Sequence, residues 1–276
     1  MTKLGLRLSF LLFIAWSAFA AKAEPQTSVE RATRKPVVVE LFTSEGCSSC
    51  PPADVLLQKL EAQQPVAGAE IIALEEHVDY WNHDGWMDPY SSPEWTERQQ
   101  TYVSLIKEDA YTPELVVDGQ SQFVGNNPHR AAVEIEKAAR GVKAEVSITA
   151  AAPDADSSQR LNVSVGKLGG NVPGDVAEIW LAITEDGLHS SVNRGENAGH
   201  VLQHIATLRS LHKIGIADAN GTSVSCAGNP VLKFNPHWNV DNLRVTVFVQ
   251  KKKSREILGA ASIRVKTLIK TERAAS

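Results

Sequence analysis

The sequence is poor in cysteine, carries no excess of positive charge, and has no long apolar run beyond its first twenty residues. Three cysteines are too few for the disulfide framework that holds small secreted folds, so apolar cores must do that work. The formal charge of −4 argues against a nucleic-acid binder, which would show a basic face. The run Lys251-Lys252-Lys253 reads as a solvated hairpin tip. After residue 20 no stretch is apolar for long enough to cross a bilayer, and neither internal repeats nor long low-complexity tracts occur.

The one early apolar run, Leu8–Ala20, follows Lys3 and Arg7 and precedes small residues. Residues 1–23 therefore read as a secretory signal, too short to span a membrane comfortably. Ala18-Phe19-Ala20 and Ala21-Lys22-Ala23 both fit a cleavage site, with an uncleaved anchor as the alternative. Cleavage would remove Lys3, Arg7 and Lys22 but no acid, taking the formal charge from −4 to −7. The mature chain is expected outside the cytoplasm, where a disulfide persists. Residues 24–35 read as a loose arm. The remainder exceeds one small domain, and composition divides it into residues 36–142 and 143–270, with 271–276 as a tail.

Residues 36–60 organise the chain. Val37–Phe42 has the β-branched, apolar character of a buried strand. Ser44–Gly46 supply a turn, and Val55, Leu56, Leu57 and Leu60 recur at helical spacing. Cys47 and Cys50 fall where the strand gives way to the helix. Unpaired amides and the positive end of the helix dipole there favour a thiolate. A Cys-x-x-Cys pair in that setting points to redox chemistry. Half of a zinc site and a static structural disulfide are the alternatives; zinc would need two more ligands, and Cys226 is the only other cysteine.

Glu70–Leu74 reads as a second buried strand. It is followed by Glu75–Pro89, dense in His, Asp and aromatic residues and without periodicity, as expected of a loop at a strand end. Ser92 and Pro93 make an N-cap and first helical position, continued by Trp95, Gln99, Tyr102, Val103 and Ile106. Leu115–Val117, the turn Asp118-Gly119 and Gln122–Gly125 form a hairpin. His129–Arg140 is an amphipathic helix closed by Gly141.

The order β, α, β, α, β, β, α, the Cys-x-x-Cys after the first strand and Thr112-Pro113 before the hairpin resemble a thioredoxin fold. That likeness implies a cis Thr112–Pro113 bond facing the cysteines and a buried acid behind the second one, which points to Glu40. More narrowly, Val39–Ser44, Cys47–Asp54, His77–Trp81, Tyr111–Pro113 and Arg194–Gly199 are similar to an uncharacterised bacterial secreted family, domain of unknown function 1223. Departures from ordinary thioredoxins are Ser48-Ser49 between the cysteines, Pro51-Pro52 after them and Gly46 where a tryptophan is usual.

In the second half, Ala144–Ala151, Arg160–Val165, Glu178–Thr184 and Leu243–Val249 are strand-like runs between turn residues, with Ser262–Val265 as a last edge strand. The expected fold class is thus an α/β thioredoxin-like domain followed by an all-β sandwich-like domain. Ser191–Gly199 reads as a long loop. His200, His204 and His212 are considered as metal ligands, and Cys226 as a free or resolving thiol.

Three functions fit. In the leading one, a secreted, periplasmic thiol–disulfide oxidoreductase acts on protein or small-molecule thiols and disulfides of the cell envelope. Cys47, the more exposed cysteine, attacks and Cys50 resolves; no cofactor beyond their disulfide is needed. Thr112, His77, Trp81 and Trp86 would bind substrate, and Glu40 would relay a proton to Cys50. In the second, Cys47, Cys50 and His77 hold Cu(I), since thiolates are soft ligands. The third is a non-enzymatic thioredoxin-like binding protein.

Overall fold

The computed structural model describes residues 34–83, 85–151, 159–168, 175–217, 224–225 and 230–269. The expected signal, most of the arm, Cys226 and the tail lie outside the described residues. Thr33–Ser276 forms one compact unit.

Val37 to Thr43 is buried on both faces, the pattern of a strand with neighbours above and below. It belongs to β1 (Lys35–Thr43), which pairs in parallel with β2 (Ala69–His77) from Lys35↔Ala69 to Thr43↔His77. β2 runs three residues past the strand expected from sequence. Glu75, Glu76 and His77 belong to the strand and are buried; three polar residues in a row hid it. On the other side β1 pairs antiparallel with β3 (Glu114–Val117), which turns into β4 (Ser121–Val124). At that turn Asp118 and Gly119 have φ of 49° and 67°, and a Cβ on Gly119 would lie 1.9 Å from the Arg255 carbonyl oxygen. Only glycine tolerates both demands.

α1 (Pro51–Gln63) and α3 (Pro128–Ala139) cover one face of these strands. Leu57, Leu60, Ala131 and Ile135 pack there with Val37, Val39 and Leu41. α2 (Pro93–Ile106), capped by the Ser92 side chain accepting from Glu94 N–H, covers the other. Its Trp95 packs with Val38, Ile72 and Leu74, and its Tyr102 with Phe42 and Val116.

The division at residue 142 is not a break in the sheet. β7 (Ala177–Glu185), β10 (Thr207–Ala217), β12 (Leu243–Lys251) and β13 (Ile257–Arg264) continue it. The eight-stranded order is β13-β12-β7-β10-β2-β1-β3-β4, joined where β10 pairs in parallel with β2 at Thr207↔Glu75. Trp95 of α2 touches both halves, since Ala182, Leu208, Phe248 and Ala260 share its cluster. A small sheet of β5 (Val146–Ala150), β6 (Leu161–Val165) and β11 (Val224–Ser225) does make a sandwich-like layer. Its Ile148, Leu161 and Val163 pack on Ile179, Leu181, Val245 and Val247 of the large sheet. The correction to the expected all-β second domain is therefore that one of its two layers is the same sheet that carries β1. Strand patterning shows alternation within a strand but not which strand lies beside it. A final pair, β8 (Leu188–Ser191) with β9 (Val201–His204), brackets the loop 192–200. Among the described residues no helix is long and apolar enough to cross a membrane.

Candidate functional site

The cysteines lie between the end of β1 and the start of α1. Cys47 N–H bonds the Ser44 carbonyl, and Cys50 N–H the Cys47 carbonyl, each at 3.2 Å. Cys50 occupies the N-cap of α1, and its carbonyl accepts from Ala53 and Asp54 N–H at 2.8 and 3.2 Å. Pro51 and Pro52 fit the first turn, where a helix has no partner for the missing N–H. Cys47 and Cys50 form a disulfide. Ser48 and Ser49 are exposed, but neither cysteine has exposed surface. The expected difference in exposure between the two sulfurs is thus absent.

A second segment meets this turn. Thr112–Pro113 is cis, as the likeness implied. Trp81 Nε1–H donates to Thr112 Oγ1 at 2.7 Å, and a Cβ on Gly46 would stand 3.1 Å from Trp81 Cβ. Gly46 therefore lacks a side chain because Trp81 fills that space. Pro113, Ala53 and Leu41 crowd Gly125, whose added Cβ would lie 3.4, 3.2 and 2.8 Å from them. Pro113 is thereby placed beside the first turn of α1.

A third segment arrives from far along the chain. Asn197 Nδ2 donates to the carbonyls of Glu45 at 2.8 Å and Cys47 at 3.0 Å. Glu196 accepts from Ser48 N–H at 3.0 Å. The Arg194–Gly199 loop, between β8 and β9, is thus latched onto the cysteine turn.

Beneath the turn lies a buried set of charged groups. Glu45 accepts from Trp86 Nε1 at 2.7 Å and meets His204 Nε2 at 3.0 Å. Glu75 accepts from Thr207 Oγ1 at 2.9 Å and approaches His204 Nδ1 at 3.3 Å. His77 Nδ1 lies 2.7 Å from Asp88 Oδ2, which also accepts Glu45 N–H at 2.9 Å. The rings of His77 and His204 are 4.6 Å apart at 80°, with Tyr90 5.5 Å from each.

These neighbours set the titrations. Burial opposes charge on both histidines. The carboxylates of Asp88 and Glu75 nonetheless hold His77 well above its ordinary value, and Glu75 with Glu45 lifts His204 to about 9. Glu75 falls to about 2 because the His204 and His77 contacts outweigh burial. Asp54, hydrogen-bonded by Thr43 at 2.7 Å, is pushed up to about 7 by burial and then by Glu75.

Several expectations change. Glu40 is buried, but on the α2 face, where it accepts from Arg98 Nε at 2.6 Å and Tyr102 OH at 2.5 Å. Successive strand residues alternate faces: Val39 and Leu41 face α1 and Glu40 does not, so its carboxylate is not behind Cys50. The acid on the α1 side is Asp54. His77 turns its two ring nitrogens toward Asp88 and Glu75 rather than toward the sulfurs, which removes the geometry of the Cu(I) reading. Of the three second-half histidines considered as metal ligands, His204 is buried while His200 and His212 are exposed. The sequence reading passed over Glu45, Asp54, Asp88 and Asn197. A carboxylate four residues into the helix after Cys50, and the polar run Glu75–His77 directly after an apolar strand, were the available signals.

Similar solved structures include the following two. One is protein AGR_C_4864 from Agrobacterium tumefaciens, 24% identical, at a TM-score of 0.61, covering 83% of this chain and 94% of that one. The other is HBP35 of Porphyromonas gingivalis, 16% identical, at 0.59, covering 84% and 76%. At these identities the likeness is one of fold. No curated protein matches the chain. Residues 38–250 match the family described as a protein of unknown function, DUF1223, and the chain belongs to that family.

Proposed function

We propose that the first half is a thioredoxin-like unit and that the protein is a thiol–disulfide oxidoreductase of the cell envelope, acting through Cys47 and Cys50. The observation that carries this reading is the Cys47–Cys50 disulfide at the N-terminus of α1, in a chain whose cis Pro113 shares the surroundings of Gly125 with Ala53 of that helix's first turn. In the oxidised chain a substrate thiolate attacks Cys47 Sγ, the Cys47–Cys50 bond breaks, and Cys50 leaves as a thiolate. A second substrate thiolate then attacks the substrate sulfur of the mixed disulfide and releases the Cys47 thiolate. Two substrate thiolates thus become one disulfide while the cysteine pair gains two electrons; the reverse sequence reduces a substrate disulfide.

The helix N-terminus favours both thiolates. Asp54 lies four positions after Cys50 on the same helical face. Its pKa of about 7 suits it to exchange the Cys50 proton near neutrality, the role first assigned to Glu40. Trp81 and Thr112 line the approach. Since the cysteines have no exposed surface, turnover requires a local opening, and we assign it to the Glu196–Asn197 latch, which bonds the backbone of the cysteine turn.

The test is Cys50→Ser in the full chain, exposed to an envelope extract and to a disulfide-bonded protein such as insulin. A mixed disulfide on Cys47 supports the reading. No adduct, together with no insulin reduction by the reduced wild type, would leave the disulfide a structural one.

A further inference from the structure

His77 carries a nitrogen that hydrogen bonding leaves unused. Asp88 Oδ2 stands 2.7 Å from Nδ1, and a carboxylate only accepts, so Nδ1 bears the proton. In the neutral ring Nε2 then presents a lone pair; without an ion the Asp88 and Glu75 carboxylates favour the protonated ring, and a metal would take the place of the Nε2 proton. Nε2 is fully buried and has no hydrogen-bond partner, and the atom it faces is Glu75 Oε2 at 3.5 Å, itself an acceptor. A buried polar atom in that position carries an uncompensated desolvation cost. His204 is held in a related way, with Nε2 in the shorter contact, 3.0 Å to Glu45, and Nδ1 hydrogen-bonded to Glu75 Oε1 at 3.3 Å.

One Glu75 carboxylate is thus approached by two imidazole nitrogens, and each ring is held from behind by a different carboxylate. Such outer carboxylates fix the tautomer and orientation of metal-binding histidines. We propose that Glu75, His77 Nε2 and His204 Nδ1 bind one divalent transition-metal ion of the zinc type, with Asp88 and Glu45 as the groups that orient the two imidazoles.

Distance supports this. Tetrahedral bonds of about 2.1 Å place neighbouring ligand atoms roughly 3.4 Å apart; His77 Nε2 stands 3.5 Å from Glu75 Oε2 and His204 Nδ1 3.3 Å from Oε1, so the carboxylate can meet an ion between the rings with either oxygen. All three ligand atoms lie within 4.8 Å of one another. Two imidazoles and a carboxylate suit zinc, and the absence of sulfur in the set disfavours Cu(I). The half-buried Tyr90 ring borders both imidazoles. The histidine pair escaped the sequence reading because His77 and His204 come from strands on opposite sides of the residue 142 division.

The full chain, stripped with a chelator, should bind one equivalent of Zn²⁺ in competition with a zinc indicator, and its Tm should rise with added Zn²⁺. The Cys47→Ser/Cys50→Ser chain should bind equally well, which separates this site from the thiol chemistry proposed above. Glu75→Gln should abolish stoichiometric binding, and Asp88→Asn should weaken it by roughly 10–100-fold. Where the Glu75 variant does not fold, the Co²⁺-substituted wild type decides: a spectrum of nitrogen and oxygen ligands alone supports the site, and sulfur-to-metal charge transfer overturns it. No stoichiometric binding by the wild type, or binding that needs the cysteines and survives Glu75→Gln, also overturns it.

Discussion

Asn197→Ala tests whether the latch controls access to the disulfide. Asn197 is 6% exposed, and its side-chain amide nitrogen donates to the carbonyls of Glu45 and Cys47 at 2.8 and 3.0 Å. When the loop lifts, both carbonyls reach water, so the latch is worth only the net value of two intramolecular bonds. At about 0.5–1.5 kcal/mol each, the closed state loses about 1–3 kcal/mol in the variant. If reduction proceeds through the open state, its rate rises by the same factor as the open population, roughly fivefold to a hundredfold. The assay is the rate of Cys47–Cys50 reduction by a small dithiol, followed by alkylation and mass spectrometry on the folded chain. Glu196 lies at the surface and accepts from Ser48 N–H; Glu196→Gln keeps an acceptor there and should change the rate far less. An Asn197→Ala rate equal to wild type, in a chain with unaltered circular dichroism, would refute the latch as the barrier.

Other substitutions probe the groups around the site. Arg98→Ala leaves Glu40 buried without its cationic partner, and urea denaturation should show a loss of about 3–5 kcal/mol. Glu114, next to the cis-proline, is raised from 4.5 to about 7, chiefly by burial. A raised acid binds more protons folded than unfolded, so wild-type stability should fall as pH rises from about 4.5 to 7, and Glu114→Gln should flatten that stretch of the curve. A parallel pH dependence in both proteins would count against the burial argument. In the metal-stripped chain, Asp54→Asn should remove an inflection near pH 7 from the rate of thiol exchange, while an unchanged profile would take Asp54 out of the mechanism.

What the sequence determined by itself was mostly local. The apolar run Val37–Phe42, the serine–proline start of α2, and the Asp118-Gly119 turn announce their elements because the physical cause lies within a few residues: β-branching, an N-cap oxygen, a positive φ. The cysteine pair at a strand-to-helix turn was legible for the same reason, and the cis Thr112–Pro113 through a likeness of motif order. Tertiary structure decided what lies side by side. Thr207↔Glu75 joins two halves that composition separates into one sheet. The parity of β1 sends Glu40 to Arg98 and leaves the α1 side to Asp54. Asn197 reaches Cys47 across 150 residues, and His204 reaches Glu45 across 159. Such pairings cost loop entropy that grows only slowly with separation, so they leave no spacing to read. They form because buried carboxylates, imidazoles and carbonyls must find partners once water is gone.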